Sequence, residues 1–165
     1  MTDRDLRRDE VLHAMADHLL AKGLAGARLR ALAAAAGTSD RMLLYYFPDK
    51  NALLTALLTE VAGRMGLALE QAVPPGPRAE AALLAEVMAV VRGPALLPFM
   101  RLWLELAAAA GRGEEPFRSV ARRIADGFLA WVAARLDSGG RQAALRVVAL
   151  VEGWALLDAI GIAGE

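Results

Sequence analysis

Residues 29–47 read Leu-Arg-Ala-Leu-Ala-Ala-Ala-Ala-Gly-Thr-Ser-Asp-Arg-Met-Leu-Leu-Tyr-Tyr-Phe, and the reading of this stretch decides the fold. Leucine and alanine are strong helix formers, so its first eight residues predict a short helix over 29–36. Gly37 permits a tight turn, and Ser39 is a good N-cap for a second short helix over 39–47. Two such helices cross steeply only where small side chains meet, and Ala33 and Ala36 supply them. This is helix-turn-helix form. A capped N-terminus that points outward is where a recognition helix meets base edges and phosphate. On these features alone an ordinary helical hairpin fits as well.

Outward from this stretch, everything reads as helix. Over residues 3–21, Val11, Leu12, Met15, Ala16, Leu19 and Leu20 recur at three-to-four spacing, and Lys22-Gly23 ends the run. Pro48 stops the second short helix, and Asp49 can cap a long one over 50–72. Pro74-Pro75-Gly76-Pro77 breaks that helix. Further helices are predicted over 78–92, 96–110, 115–136 and 140–162, separated by glycine-containing breaks. No β-branched run alternates, and no linker separates freely moving domains. The expectation is an all-α chain with a division at 1–49 and 50–165.

Composition narrows the function. The chain has 165 residues, 56% of them hydrophobic, which excludes disorder. Nineteen Lys and Arg balance nineteen Asp and Glu, which excludes a polybasic protein but not a local basic site. Residues 1–50 carry eight basic and seven acidic side chains, so non-specific DNA affinity should be weak. Arg4, Arg7 and Arg8 read as a solvated helix start. There is no cysteine for a disulfide, a thiolate metal site or thiol catalysis. His13 and His18 lie five apart, the wrong spacing for a metal pair on a helix, and no phosphate loop or nucleophile elbow is present. Neither an enzyme, a metal site nor a cofactor is expected. The charged N-terminus lacks the apolar run of a signal peptide, so a cytoplasmic location is expected. Residues 147–163 are apolar but include Glu152 and Asp158, and they fall short of the roughly 20 residues a bilayer needs. A buried helix is expected there, with no membrane partner.

Ala36-Gly37-Thr38-Ser39, then Leu43, Tyr46-Phe47-Pro48-Asp49-Lys50 and Leu53-Leu54, closely resemble the tetracycline-repressor (TetR) family of bacterial transcriptional regulators. Gly23-Leu24, Arg30 and Leu32-Ala33 fall at matching places upstream, and the resemblance spans residues 8–58. It implies an N-terminal three-helix helix-turn-helix DNA-binding unit, joined by a long helix to a C-terminal helical ligand-binding and dimerisation bundle. The implied function is a ligand-responsive regulator, a repressor in the first instance. It would bind a palindromic double-stranded operator as a homodimer and be released by a small apolar or amphipathic effector. The resemblance places Tyr46 and Lys50 on phosphate, and Ser39, Asp40, Arg41 and Met42 where sequence is read. Tyr45 joins that face, and Arg28 and Arg30 lie near the flanking backbone. The chain departs from the family at Leu44, where a tyrosine is usual, at Arg41, where glycine is frequent, and at Ala27-Arg28, where Thr or Ser is common. Asp40 repels phosphate unless it accepts from a cytosine amino group.

The implied effector site calls for large apolar side chains with a few polar groups. Met65, Leu69, Met88, Phe99, Met100, Trp103, Phe128, Trp131 and Trp154 are the candidates, with Arg101, Glu105, Glu152 and Asp158 as polar handles. Taken singly, each apolar one reads first as plain core. Residues 143–163 carry only Arg146, Glu152 and Asp158 as charges, so that helix has no polar face and should pair with a second copy of itself, with Gly153 allowing close approach. The alternative is a helical DNA-binding or interaction protein with no small-molecule effector.

Overall fold

The computed structural model describes residues 3–162, and within them the chain is all helical. The helices are α1 (Asp3–Lys22), α2 (Leu29–Ala35), α3 (Asp40–Tyr46), α4 (Lys50–Ala72), α5 (Glu80–Val91), α6 (Leu97–Gly111), α7 (Phe117–Ala133) and α8 (Gly140–Ala159). A 3-10 turn at Leu24–Gly26, not signalled by the hydrophobic period, joins α1 to α2. The chain forms two compact units. One unit runs through Arg64 and includes Glu105–Ala121; the other holds Met65–Leu104 and the chain from Arg122 onward. The first two thirds of α4 belong with the helix-turn-helix, because its leucines close that core.

In unit one, Met15, Ala16 and Leu19 of α1, Leu32 of α2, Leu43 of α3 and Leu53 and Leu57 of α4 are wholly buried. Fully burying an aliphatic side chain contributes about 1.5–3 kcal/mol, so this cluster holds α2 and α3, which at seven residues each would not be stable alone. The turn chemistry is local. Gly37 takes φ +61, and the N–H of Thr38 donates to the Ala33 carbonyl at 2.9 Å, closing α2. Gly23 stands at φ 65, ψ −166, a region open essentially to glycine, and a Cβ there would collide with the Glu105 carboxylate. That carboxylate accepts from the Leu24 N–H at 2.7 Å.

In unit two, Leu69 and Val73, Leu83, Val87 and Val91, Leu96 and Met100, Leu129 and Val132, and Ala144, Val147 and Val151 form one core. Three of these helices are shorter than the period predicts. The Arg78 N–H donates to the Arg135 carbonyl, and the Asp137 N–H to the Arg78 carbonyl, both at 2.9 Å. Arg78 and Leu136 therefore form an isolated bridge, and residues 134–135 a turn, instead of helix. Gly161, at φ +79, ends α8 before residue 162. Among the described helices, α4 is long and apolar enough to cross a membrane, but its stripe of buried leucines reads as core.

Candidate nucleic-acid interface and effector cluster

The recognition helix is fixed by two inward side chains. Leu43 and Phe47 lie four apart and are buried, which turns the rest of α3 outward. Ser39 caps it, its hydroxyl accepting from the Met42 N–H at 3.3 Å. Asp49 caps α4 in the same way, accepting from the Ala52 N–H at 2.8 Å. Arg28, Arg30, Ser39, Asp40, Arg41, Met42, Tyr45 and Lys50 are all exposed, and Tyr46 is half-buried against Tyr45, ring centroids 5.5 Å apart.

Two features single this face out. Arg28, Arg30, Arg41 and Lys50 make no ion pair among the described residues, whereas Arg64 in the same unit holds both Asp17 and Glu60. Lys50 also begins α4, where a cation opposes the helix dipole and gains nothing for the fold. The reading of Arg4 and Arg8 as a merely solvated helix start is corrected. Arg4 lies 4.7 Å from the centroid of the Tyr45 ring and donates to the Tyr45 carbonyl at 3.1 Å, and Arg8 lies 4.8 Å from the Phe47 ring centroid. Only Arg7 fits that reading, exposed and paired with Glu10. Arg4 thus adds a cation beside α3, a contact spanning 41 residues that no local pattern signals.

The effector candidates fall within unit two. Leu69 and Met100 belong to its buried core, and Met65, Met88, Phe99, Trp103, Phe128 and Trp131 are partly buried against it. Trp154 stands apart, 39% exposed, with the Arg92 guanidinium 5.4 Å from its ring centroid. Trp131 is committed to the fold: it stacks on Phe128, and its indole N–H donates to Glu70 at 2.8 Å. The buried Arg135 lies 4.0 Å from the Trp131 ring centroid, pairs with Glu70 at 2.6 Å and donates to the Val73 carbonyl. Of the polar handles, Glu105 is held in unit one by Leu24, Asp158 pairs with Arg92, and Arg101 is exposed. Glu152 is different. It accepts from the Trp103 indole at 2.5 Å, and burial pushes its carboxyl above the usual range while that hydrogen bond partly offsets the push.

A capped, outward-facing helix behind a glycine turn, flanked by cations the fold leaves free, defines a helix-turn-helix DNA-binding regulator. Residues 12–57 match the family model described as bacterial regulatory proteins, tetR family. A crystal structure described as a TetR-family transcriptional regulator from Rhodococcus sp. superposes with a TM-score of 0.75 at 26% identity, over 94% of this chain and 88% of that one. The multidrug binding protein EbrR, solved in complex with proflavin, gives 0.69 at 27% identity, over 93% and 89%. A transcriptional regulator structure from Pseudomonas aeruginosa PAO1, 22% identical with a TM-score of 0.71 over 99% and 84%, shares the fold. No curated protein matches by sequence. Residues 12–57 thus form a DNA-binding unit of the tetR family, and the chain as a whole shares the fold of TetR-family regulators. Proteins of this family are typically ligand-responsive repressors and usually dimers.

Proposed function

We propose that this chain is a cytoplasmic transcriptional repressor that binds a palindromic operator as a homodimer and leaves it when unit two takes up a small apolar or amphipathic effector. The observation that carries the DNA half is the set of free cations around α3 and at the head of α4, on a unit whose other arginines include fully paired ones. The effector half is supported by the cluster around Phe99 and Trp103, which is accessible in part, and by the proflavin complex of EbrR. The effector-free alternative calls for three fully packed tryptophans, whereas Trp103 and Trp131 are only partly buried against the core.

Homodimerisation is supported by α8. Its inward residues Ala143, Ala144, Val147 and Val151 are buried, and beyond the exposed Arg141 in its first turn its charges are engaged within the protomer: Arg146 with Glu80, Glu152 with Trp103, Asp158 with Arg92. Arg146 holds the Glu80 carboxyl below its usual range. What remains outward is uncharged: Leu145, Leu150, Trp154, Leu156, Leu157 and Ile160, each more than a third exposed. A Cβ on Gly153 would meet open space. An apolar helix face of this kind fits a second copy of itself across a twofold axis. The test is selection of bound sequences from random duplexes, with the stoichiometry of the complex measured by sedimentation. Inverted repeats with two protomers bound are expected. Enrichment of asymmetric sites by a monomer would overturn the reading.

A further inference from the structure

In unit two, Glu70, Glu80, Glu86, Asp126 and Asp158 each pair with an arginine. Glu152, though more buried than an ordinary surface acid, pairs with no cation among the described residues. Among the described residues its one hydrogen bond comes from Trp103, which leaves most of a carboxylate's acceptor capacity open. Its surroundings are apolar. Val148 and Ala155 flank it on α8, and Phe99 lies one turn from Trp103 on α6, all three packed against the core. Burying a charge without a partner is costly. A glutamine would satisfy the same indole N–H without that cost, so the negative charge itself calls for a use. A neighbouring indole ring also attracts cations over its face.

Resting on the effector reading above, we propose that Glu152 and Trp103 recognise the positive charge of an organic cation whose apolar body lies toward Phe99. Glu152 supplies the countercharge and Trp103 both orients the carboxylate and offers its ring. Neutral ligands of the same shape bind less tightly, because they leave the carboxylate uncompensated.

The test uses the full chain and two probes of nearly equal shape: N-methylacridinium, a fixed cation, and acridine, uncharged at mildly alkaline pH. Binding is measured by equilibrium dialysis. Wild type is expected to hold the cation roughly 10–100-fold more tightly, the scale of ion–ion and cation–π attraction partly shielded from water. Glu152→Gln, checked for folding by thermal melting, should erase the preference, and Glu152→Asp should keep most of it. Equal wild-type affinities, no binding of either probe, or a preference that survives Glu152→Gln would overturn the proposal. The effector reading is tested separately by DNA affinity. A Glu152-dependent preference that leaves DNA binding unchanged removes that reading and keeps the cation site. DNA release by a neutral compound alone does the reverse.

Discussion

The face of α3 and the packed helices of unit two use their cations differently. Around α3, Arg28, Arg30, Arg41 and Lys50 are exposed and unpaired among the described residues, while in the helical bundle Arg78, Arg92, Arg135 and Arg146 each hold a carboxylate. Paired arginines fasten helices to one another. Unpaired cations on a rigid face hold the fold together no better than water would, and a polyanion is the partner that makes use of them. Glu152 is the mirror image within the bundle, an acid without a cation.

The largest expected effect tests the structural half of this contrast. Arg135 is buried and engages Glu70, Trp131 and the Val73 carbonyl at once, so Arg135→Ala should destabilise by about 2–3 kcal/mol, less than for a fully buried pair because Glu70 is half-exposed. For a chain of this size that is a loss of roughly 5–10 °C in Tm. Arg41→Ala should stay within about 0.5 kcal/mol of wild type. Similar shifts for the two variants, read by thermal melting, would break the comparison.

The coupling between units comes next. α4 is one helix of 23 residues, beginning at Lys50 in the first unit and ending at Ala72 in the second. A ligand releases DNA only by its preference for one state over the other, typically about 1–3 kcal/mol. Linkage makes this reciprocal. Operator DNA should weaken effector binding by the factor by which effector weakens DNA binding, so the ligand is titrated with and without operator. Equal affinities in the two titrations would separate the units functionally.

Lys50→Ala sharpens the DNA half. If Lys50 grips phosphate, its loss should weaken binding about equally on operator and scrambled duplexes and flatten the salt dependence by about one unit. Arg41→Ala, at the outward face of α3, should instead shift preference among sites. An unchanged salt slope for the lysine variant, measured by electrophoretic titration, would sink its assignment.

The same contrast explains what the sequence made legible. The recognition helix rests on short-range rules: Ser39 caps three residues ahead, Asp49 does likewise, and Leu43 and Phe47 anchor at four-residue spacing. Side chains that obey such rules are visible in the order of residues. Arg4 on Tyr45, Glu105 on Leu24, Glu70 on Arg135 and Trp103 on Glu152 join positions 41, 81, 65 and 49 apart. Those contacts depend on which helix faces pack together, which hydrophobic periodicity does not encode. Hence the face of α3 could be read residue by residue, whereas the nine effector candidates could not be sorted into core and lining. Trp131 shows the difficulty: its composition suits a pocket, but its indole is bound up with Glu70 and Arg135.

The smallest expected effect is on stability, and it comes from Glu152. Its folded-state pKa lies above the ordinary glutamate value, chiefly through burial. The protonated form is therefore favoured by folding. Its contribution is complete below the ordinary glutamate range and is lost as pH rises through the raised pKa. Neighbouring charges do not confuse the assignment, since Arg92 holds Asp158, Arg146 holds Glu80, and the partner of Glu152 is the neutral Trp103 indole. Glu152→Gln keeps an acceptor for that indole and removes the titration. At neutral pH the variant should melt about 1–3 °C above wild type, and the gap should close as pH falls below the ordinary glutamate range. A gap that is constant across pH, or wild type melting higher at neutral pH, would show that the carboxylate is already compensated. A variant both more stable and blind to cations would show instead that this acid is kept for binding at the expense of stability.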